Sequence, residues 1–199
     1  MRWMVYGAYG YTGTLVAELA VRRGLRPVLA GRDAAKLRPL AERLGLEHRA
    51  FGLDEAARAL ADVDAVAHCA GPFSSTSGPM VDACLAAKTH YVDITGEIDV
   101  FEAVSRRDED AKRAGVVLLP GAGFDVVPTD CLAALLHDAL PTATHLDLAF
   151  LVQGGASASM RSPGRASRRR EKSGCASKAS PIQLGATTRM LRAPGVICR

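Results

Sequence analysis

Short apolar runs alternate with longer amphipathic stretches over the first 150 residues of the chain. The apolar runs predict β-strands in "RWMVYG", "PVLAG", "HRAFGL", "DAVAHCAG", "HYVDITG", "VVLLPGAG" and "THLDLAFLVQGG". The stretches between them predict helices in "TGTLVAELAVRRG", "DAAKLRPLAERLG", residues 54–60, "GPMVDACLAAK", "DVFEAVSRRDEDAKRAG" and "PTDCLAALLHDAL". Strands and helices that alternate at this spacing indicate right-handed crossovers. We therefore predict an α/β fold with a doubly wound, Rossmann-like parallel sheet.

Local signals support several of these elements. The first helix has an apolar face that contains Leu15, Val16, Leu19 and Ala20. Asp33 is a good N-cap for the second helix, which Pro39 interrupts.

The composition changes after Gly155. Residues 1–152 contain 15 Lys and Arg against 20 Asp and Glu, a net charge of −5, whereas residues 153–199 contain 10 against one, a net charge of +9. The last 44 residues hold no Phe, Trp or Tyr, and such a segment lacks the apolar surface that folding requires. We expect a Rossmann-like domain over 1–143, the start of a second α+β domain over 144–155, and a disordered basic tail over 156–199.

Composition and cysteine usage limit the class of protein. The chain has 199 residues, of which 48% are hydrophobic and 23% charged, the balance of a globular protein. No apolar run approaches the roughly 20 residues that span a bilayer. The five cysteines form no CxxC spacing, which favours reduced thiols over disulfides or a zinc site. We expect a cytoplasmic protein without a metal.

The first turn, "GAYGYTG", carries the strongest chemical signal. It places Gly7, Gly10 and Gly13 between a predicted strand and an amphipathic helix. Main-chain N–H groups at a helix N-terminus bind phosphate, and glycines permit the tight turn and the close approach of a diphosphate. The turn is therefore predicted to be a dinucleotide-binding loop, and Tyr9, Tyr11 and Thr12 between its glycines are predicted to bind the cofactor as well. A purely structural strand-to-helix turn is the alternative.

The end of the second strand distinguishes the two nicotinamide cofactors. NAD sites place an acid there for the ribose hydroxyl, whereas NADP sites place a basic residue for the 2′-phosphate. Here Ala30 and Gly31 occupy the acidic position, Arg32 follows, and Lys36 lies one helical turn later. Asp33 is interpreted as the helix N-cap. The pattern favours NADP(H) over NAD(H).

Further residues are predicted at the carboxyl edge of the sheet. Ala70, Gly71, Pro72 and Phe73 follow the fourth strand and should flank the cofactor, whereas His68 within that strand is interpreted as a core residue.

Later loops bring a second set of residues towards the same edge of the sheet, namely Tyr91, Asp93, Glu97, Phe124 and Asp125. These carboxylates could orient a substrate or relay a proton, but helix capping by Asp93 or Asp125 explains them equally well. No Tyr-x-x-x-Lys, HExxH or GxSxG motif occurs, so no catalytic residue is assigned.

Five blocks in this order, "GAYGYTG", "LAGRDAAKL", "CAGPF", "HYVDITGE" and "GAGFDVVPTD", resemble the saccharopine dehydrogenase-like NAD(P)-binding proteins. The resemblance covers about residues 2–155 and is closer to the branch that includes trans-acting enoyl reductases. It implies an oxidoreductase that transfers a hydride between NADP(H) and an imine or enoyl-type substrate. It also implies a second α+β domain, which is largely missing after residue 155.

Two alternatives to that function stay open. The chain could be a non-catalytic dinucleotide-binding or redox-sensing module, or an inactive fragment whose residues from about 156 onward are truncated or out of frame. A small-molecule substrate is the expected ligand, a homodimer is left open, and nucleic-acid binding through the tail is the weakest hypothesis.

Overall fold

The structure is a computed structural model that describes residues 1–124, 126–144 and 146. Strands and helices alternate along the chain as the sequence predicts. The strands are β1 (Trp3–Tyr6), β2 (Val28–Gly31), β3 (His48–Ala50), β4 (Ala65–His68), β5 (His90–Asp93) and β6 (Leu118–Leu119). The helices are α1 (Tyr11–Arg22), α2 (Ala34–Leu44), α3 (Ala56–Ala59, after a 3₁₀ turn over Leu53–Glu55), α4 (Phe73–Ala87), α5 (Ile98–Ser105), α6 (Asp108–Ala114) and α7 (Val127–Ala139).

The six strands form one parallel sheet in the order β3-β2-β1-β4-β5-β6. The chain leaves β1 towards β2 and β3 and then returns to the other side of β1 as β4. This reversal creates a topological switch point at the carboxyl ends of β1 and β4, where open α/β sheets bind ligands. The register aligns Tyr6 with Ala30 on one side and with His68 on the other. The Rossmann-like α/β prediction is confirmed.

Apolar residues cover both faces of the sheet. On one face Tyr6, Val66 and Tyr91 pack against α3, α4 and α5, and on the other Val5 and Leu29 pack against α1 and α2. Neighbouring residues of a strand point to opposite faces, so a strand buried on both faces reads as a continuous apolar run. This explains why β1, β2 and β4 lack polar alternation, whereas the edge strand β3 carries the polar residues His48 and Arg49.

The face through which helix α1 packs on the sheet overlaps only in part with the predicted one. Of the predicted residues, Ala20 is buried and Val16 packs against the core, whereas Leu15 and Leu19 are 47% and 42% exposed. Gly13 and Ala17 complete the buried face, and their small side chains let the helix approach the strands closely. The hydrophobic pattern gives most weight to leucines and is wrong for those two residues.

Three other elements differ from the sequence-based expectation. Helix α4 begins at Phe73 rather than at Gly78, because its Ser and Thr hydroxyls find partners: Thr76 Oγ1 donates to Ala70 O at 2.7 Å. The single helix expected over "DVFEAVSRRDEDAKRAG" is divided into α5 and α6, since acidic residues at 108–110 favour a new helix N-terminus. Strand β6 contains two residues only.

Residues Met1–Val126 form one compact unit, and α7 belongs to a second unit that begins at Val127. Most of the 144–155 segment, which is the predicted strand "THLDLAFLVQGG", lies outside the described residues. The whole 156–199 tail also lies outside them. In the part of the chain that the structure describes, no helix has the length and apolar character needed to cross a bilayer.

Candidate dinucleotide site

The glycine turn follows β1 at the switch point. Gly7 adopts φ +82°, and the N–H groups of Gly7 and Ala8 both donate to Ala30 O of β2, at 2.8 and 3.0 Å. A Cβ on Gly7 would come within 2.9 Å of Ala70, just after β4. Glycine is therefore required at position 7 by both the backbone angle and the neighbouring chain.

The N-terminus of α1 faces this turn with donors that no side chain caps. Gly10 is the N-cap without a side-chain hydrogen bond, and the first turn of the helix has no acidic residue. A Cβ on Gly13 would overlap the carbonyl oxygen of Gly7, so a larger residue would push the helix away from the turn. Thr14 Oγ1 donates to Ala8 O at 3.0 Å and fixes the loop. The main-chain amides and the positive helix end fit a diphosphate.

An aromatic ring and two cations lie at the end of β2. The Tyr9 ring lies over Gly31, and the Lys36 ammonium is 5.8 Å from the centroid of that ring. Asp33 Oδ1 accepts from the N–H groups of Ala35 and Lys36, which confirms its interpretation as the N-cap of α2. Arg32 is exposed and forms no ion pair with any described residue. Asp33, which follows the strand end, is thus engaged as the helix N-cap, and both cations are exposed.

His68, at the end of β4, is a fully buried core residue, as the sequence analysis predicts. Tyr6, Phe73 and Tyr91 surround its ring at centroid distances of 5.4–6.0 Å. Its Nε2 lies 3.0 Å from Thr76 Oγ1, while its Nδ1 has no hydrogen-bond partner among the described residues. Burial lowers the pKa of His68 to about 4, so the ring is neutral near pH 7.

Glu97 occupies the N-terminus of the neighbouring helix α4. Its two carboxylate oxygens accept from the N–H groups of Phe73 and Ser74, each at 2.9 Å. Of the two helices that start at the switch point, α4 is therefore capped by an internal anion, whereas the N-terminus of α1 stays open.

Asp93 links β5 and the loops that follow β5 and β6 from a buried position. Its carboxylate accepts from Tyr91 Oη at 2.6 Å, from Thr95 N at 3.0 Å and from Gly121 N at 2.7 Å. Burial raises the pKa of Asp93, and these hydrogen bonds oppose the rise. The expected capping of the following helix by Asp93 is wrong, because Glu97 is the N-cap residue of α5.

The predicted cofactor-binding residues at the ends of β1, β2 and β4 lie close together. The residues predicted at the ends of β5 and β6 do so only in part. The glycine turn, the end of β2 and Ala70 meet around the switch point. Tyr91 is buried below the rim, Phe124 is 78% exposed, and Asp125 lies outside the described residues. Two contacts could not be predicted, because neither has a local sequence signal. They are the Tyr9 ring over Gly31 and the cap that Glu97 provides for α4.

These features define a dinucleotide-binding α/β domain. The comparisons give the family: residues 3–119 match the profile of the saccharopine dehydrogenase NADP-binding domain. The chain belongs to this family, and its cofactor is a nicotinamide dinucleotide.

Curated relatives share the same part of the chain. A putative trans-acting enoyl reductase of Mycobacterium tuberculosis is 31% identical over 147 residues, which cover 68% of this chain and 35% of the relative. The human saccharopine dehydrogenase-like oxidoreductase is 28% identical over 153 residues, with 64% of this chain and 35% of the relative covered. The chain thus spans about a third of the length of these relatives.

Solved structures show the same fold. Apo saccharopine dehydrogenase (L-Glu forming) from Saccharomyces cerevisiae matches with a TM-score of 0.60 and 16% identity, over 72% of this chain and 33% of that one. GenD2 from gentamicin A biosynthesis, in complex with NAD, matches with a TM-score of 0.52 and 25% identity, over 73% of this chain and 41% of that one.

Proposed function

We propose that the chain binds NADP(H), in preference to NAD(H), as the cofactor domain of a saccharopine dehydrogenase-like oxidoreductase. The observation that carries this proposal is the open N-terminus of α1 at the glycine turn, with Arg32 and Lys36 beside it at the end of β2. An anion site next to two cations matches a diphosphate followed by a 2′-phosphate.

Each predicted site residue has a distinct task in this proposal. The main-chain N–H groups at the start of α1, from Tyr11 through Thr12 to Gly13, donate to the diphosphate. The N–H groups of Gly7 and Gly10 are engaged by Ala30 O and Gly7 O and hold the turn, to which Tyr9 also belongs. Arg32 and Lys36 bind the 2′-phosphate. Ala70, Gly71, Pro72 and Phe73 flank the nicotinamide half, where Ala70 already contacts the turn.

The bound nicotinamide would supply or accept a hydride. The name of one relative, a putative trans-acting enoyl reductase, supports an enoyl-type substrate, and an imine is the alternative. The described acidic and imidazole groups near the site serve the structure instead. Burial keeps His68 neutral, Asp93 links loops, and Glu97 caps α4. These residues position the loops, and we assign proton transfer to none of them.

The engagement of those groups favours a second candidate function, a dinucleotide-binding module without turnover. The two candidates differ in one assay. An oxidoreductase oxidises NADPH when an imine or enoyl substrate is added, whereas a binding module retains the nucleotide unchanged.

We also propose a reducing compartment, the cytoplasm, for this protein. Cys69, Cys84 and Cys131 are free thiols in the described part of the chain, and burial raises the pKa of Cys69 and of Cys84 to about 12. Thiols of this kind are unreactive and fit a structural role.

Replacement of Arg32 tests the cofactor preference. Arg32→Ala should weaken NADPH binding roughly 10–100-fold, the effect of a lost charged hydrogen bond, and should change NADH binding little. Isothermal titration of both nucleotides measures the two dissociation constants. Arg38→Ala, which removes an exposed arginine of the adjoining helix α2, is the matched control. Equal losses for both nucleotides would contradict NADP(H) selectivity.

A further inference from the structure

Gly31, the last residue of β2, has no room for a side chain. A Cβ built at this position would lie 2.6 Å from Tyr9 Cε1, closer than real Cβ atoms approach, and 3.3 Å from Tyr9 Cδ1, a tight contact. This is the end of the strand that leads into the adenosine side of a Rossmann-like site. The ring of Tyr9 therefore fills the space that a residue larger than glycine would need.

Several contacts hold Tyr9 in this position. Its ring packs against the core cluster on the α1 and α2 face of the sheet. Its loop is tied to β2, because Gly7 N and Ala8 N both donate to Ala30 O. On the side of α2, the Lys36 ammonium lies 5.8 Å from the ring centroid, within the range of a cation–π interaction.

Lys36 is in turn placed between two groups. Its ammonium is 3.6 Å from Asp33 Oδ2, while Asp33 Oδ1 accepts from the amides of Ala35 and Lys36. The ring and the carboxylate together keep the lysine beside the end of β2. Asp33 is thereby engaged by the helix cap through Oδ1 and by the Lys36 ammonium near Oδ2, which opposes its use for a ribose hydroxyl.

We propose that Tyr9 determines the cofactor selectivity of this site by two effects, a proposal that rests on the proposed binding of NADP(H). The ring excludes from position 31 the carboxylate side chain that would bind the 2′-hydroxyl of NAD(H). The same ring keeps Lys36 where its charge meets a 2′-phosphate. Selectivity thus depends on an aromatic residue of the glycine turn as well as on the basic residues of α2 and its N-terminus.

A double-mutant cycle of Tyr9 and Gly31 on the full chain tests this inference. The variants are Tyr9→Ala, Gly31→Asp, the double variant Tyr9→Ala with Gly31→Asp, and Tyr9→Phe, which keeps the ring. Dissociation constants for NADPH and NADH are measured for each by titration, with thermal unfolding to follow stability. Tyr9→Phe should match the wild type in both constants.

The two effects predict different results. Tyr9→Ala should weaken NADPH roughly fivefold, the size of a cation–π contribution, and leave NADH unchanged. Gly31→Asp alone should lower the unfolding temperature without a gain in NADH affinity. The double variant should recover stability relative to Gly31→Asp and shift the NADH-to-NADPH affinity ratio at least tenfold towards NADH.

Two results would overturn the role of Tyr9. One is an equal loss of NADPH and NADH affinity in Tyr9→Ala, a comparison that does not require Gly31→Asp to fold. The other is a Gly31→Asp variant that binds NADH equally well with and without the Tyr9 ring. Failure of the wild-type chain to bind either nucleotide is a different outcome, since it removes the proposed function itself.

Discussion

The polar side chains His68, Asp93 and Glu97 at the carboxyl edge of the sheet mainly stabilise the fold. His68 is enclosed by three aromatic rings, Asp93 accepts three hydrogen bonds, and Glu97 caps α4. Buried polar groups are costly unless they are paired, so these contacts are structural requirements. The exception is His68 Nδ1, which has no hydrogen-bond partner in the described part of the chain. Protonation of this nitrogen would create a buried cation.

His68 should therefore make the stability of the protein dependent on pH. Its pKa is about 4 in the folded chain and near 6.5 in the unfolded one, so the unfolded state takes up the proton first as pH falls. Stability from this residue is complete above about pH 6.5 and is lost between about pH 6.5 and 4. Urea unfolding at about pH 7.5 and about pH 5 should show a loss of about 2 kcal/mol more in the wild type than in His68→Gln. Identical pH dependence in the two proteins would contradict this account.

At the scale of elements, the turn between β1 and α1 depends on close packing. Gly7 contacts the chain after β4, and Gly13 brings the first turn of α1 against the carbonyl of Gly7. This close packing places the N–H groups at the start of α1 next to the switch point. Glycine at these positions is a geometric requirement, whereas Gly78 in α4 has open space around it.

Two alanine substitutions separate packing from helix propensity. Gly78→Ala should raise the free energy of unfolding by roughly 0.5–1 kcal/mol, because alanine is the better helix former. Gly13→Ala should lower it by roughly 1–3 kcal/mol and weaken NADPH binding, since the overlap with Gly7 O outweighs the gain in propensity. Chemical denaturation and nucleotide titration measure both effects. A Gly13→Ala protein with unchanged stability and affinity would be inconsistent with the packing described here.

At the scale of the whole molecule, the alternation of strands and helices and the glycine turn could be predicted from the sequence. Both follow from local rules, namely period, capping and backbone freedom, as Asp33 illustrates. The full buried face of α1 and the start of α4 could not, because they depend on small residues and on hydroxyl contacts that no local pattern marks. The contact of the Tyr9 ring in the glycine turn with Gly31 at the end of β2 could not be predicted either, because the two residues are distant in sequence.

The most direct test of the central claim is an NMR titration of the ¹⁵N-labelled chain with NADPH. The claim is that main-chain amides at the start of α1 hold the diphosphate of a dinucleotide. We predict that the largest amide shifts fall on residues 10–13, with smaller shifts at the end of β2. A folded chain in which those amides do not respond, or in which the shifts concentrate at the α4 N-terminus that Glu97 caps, would contradict the account.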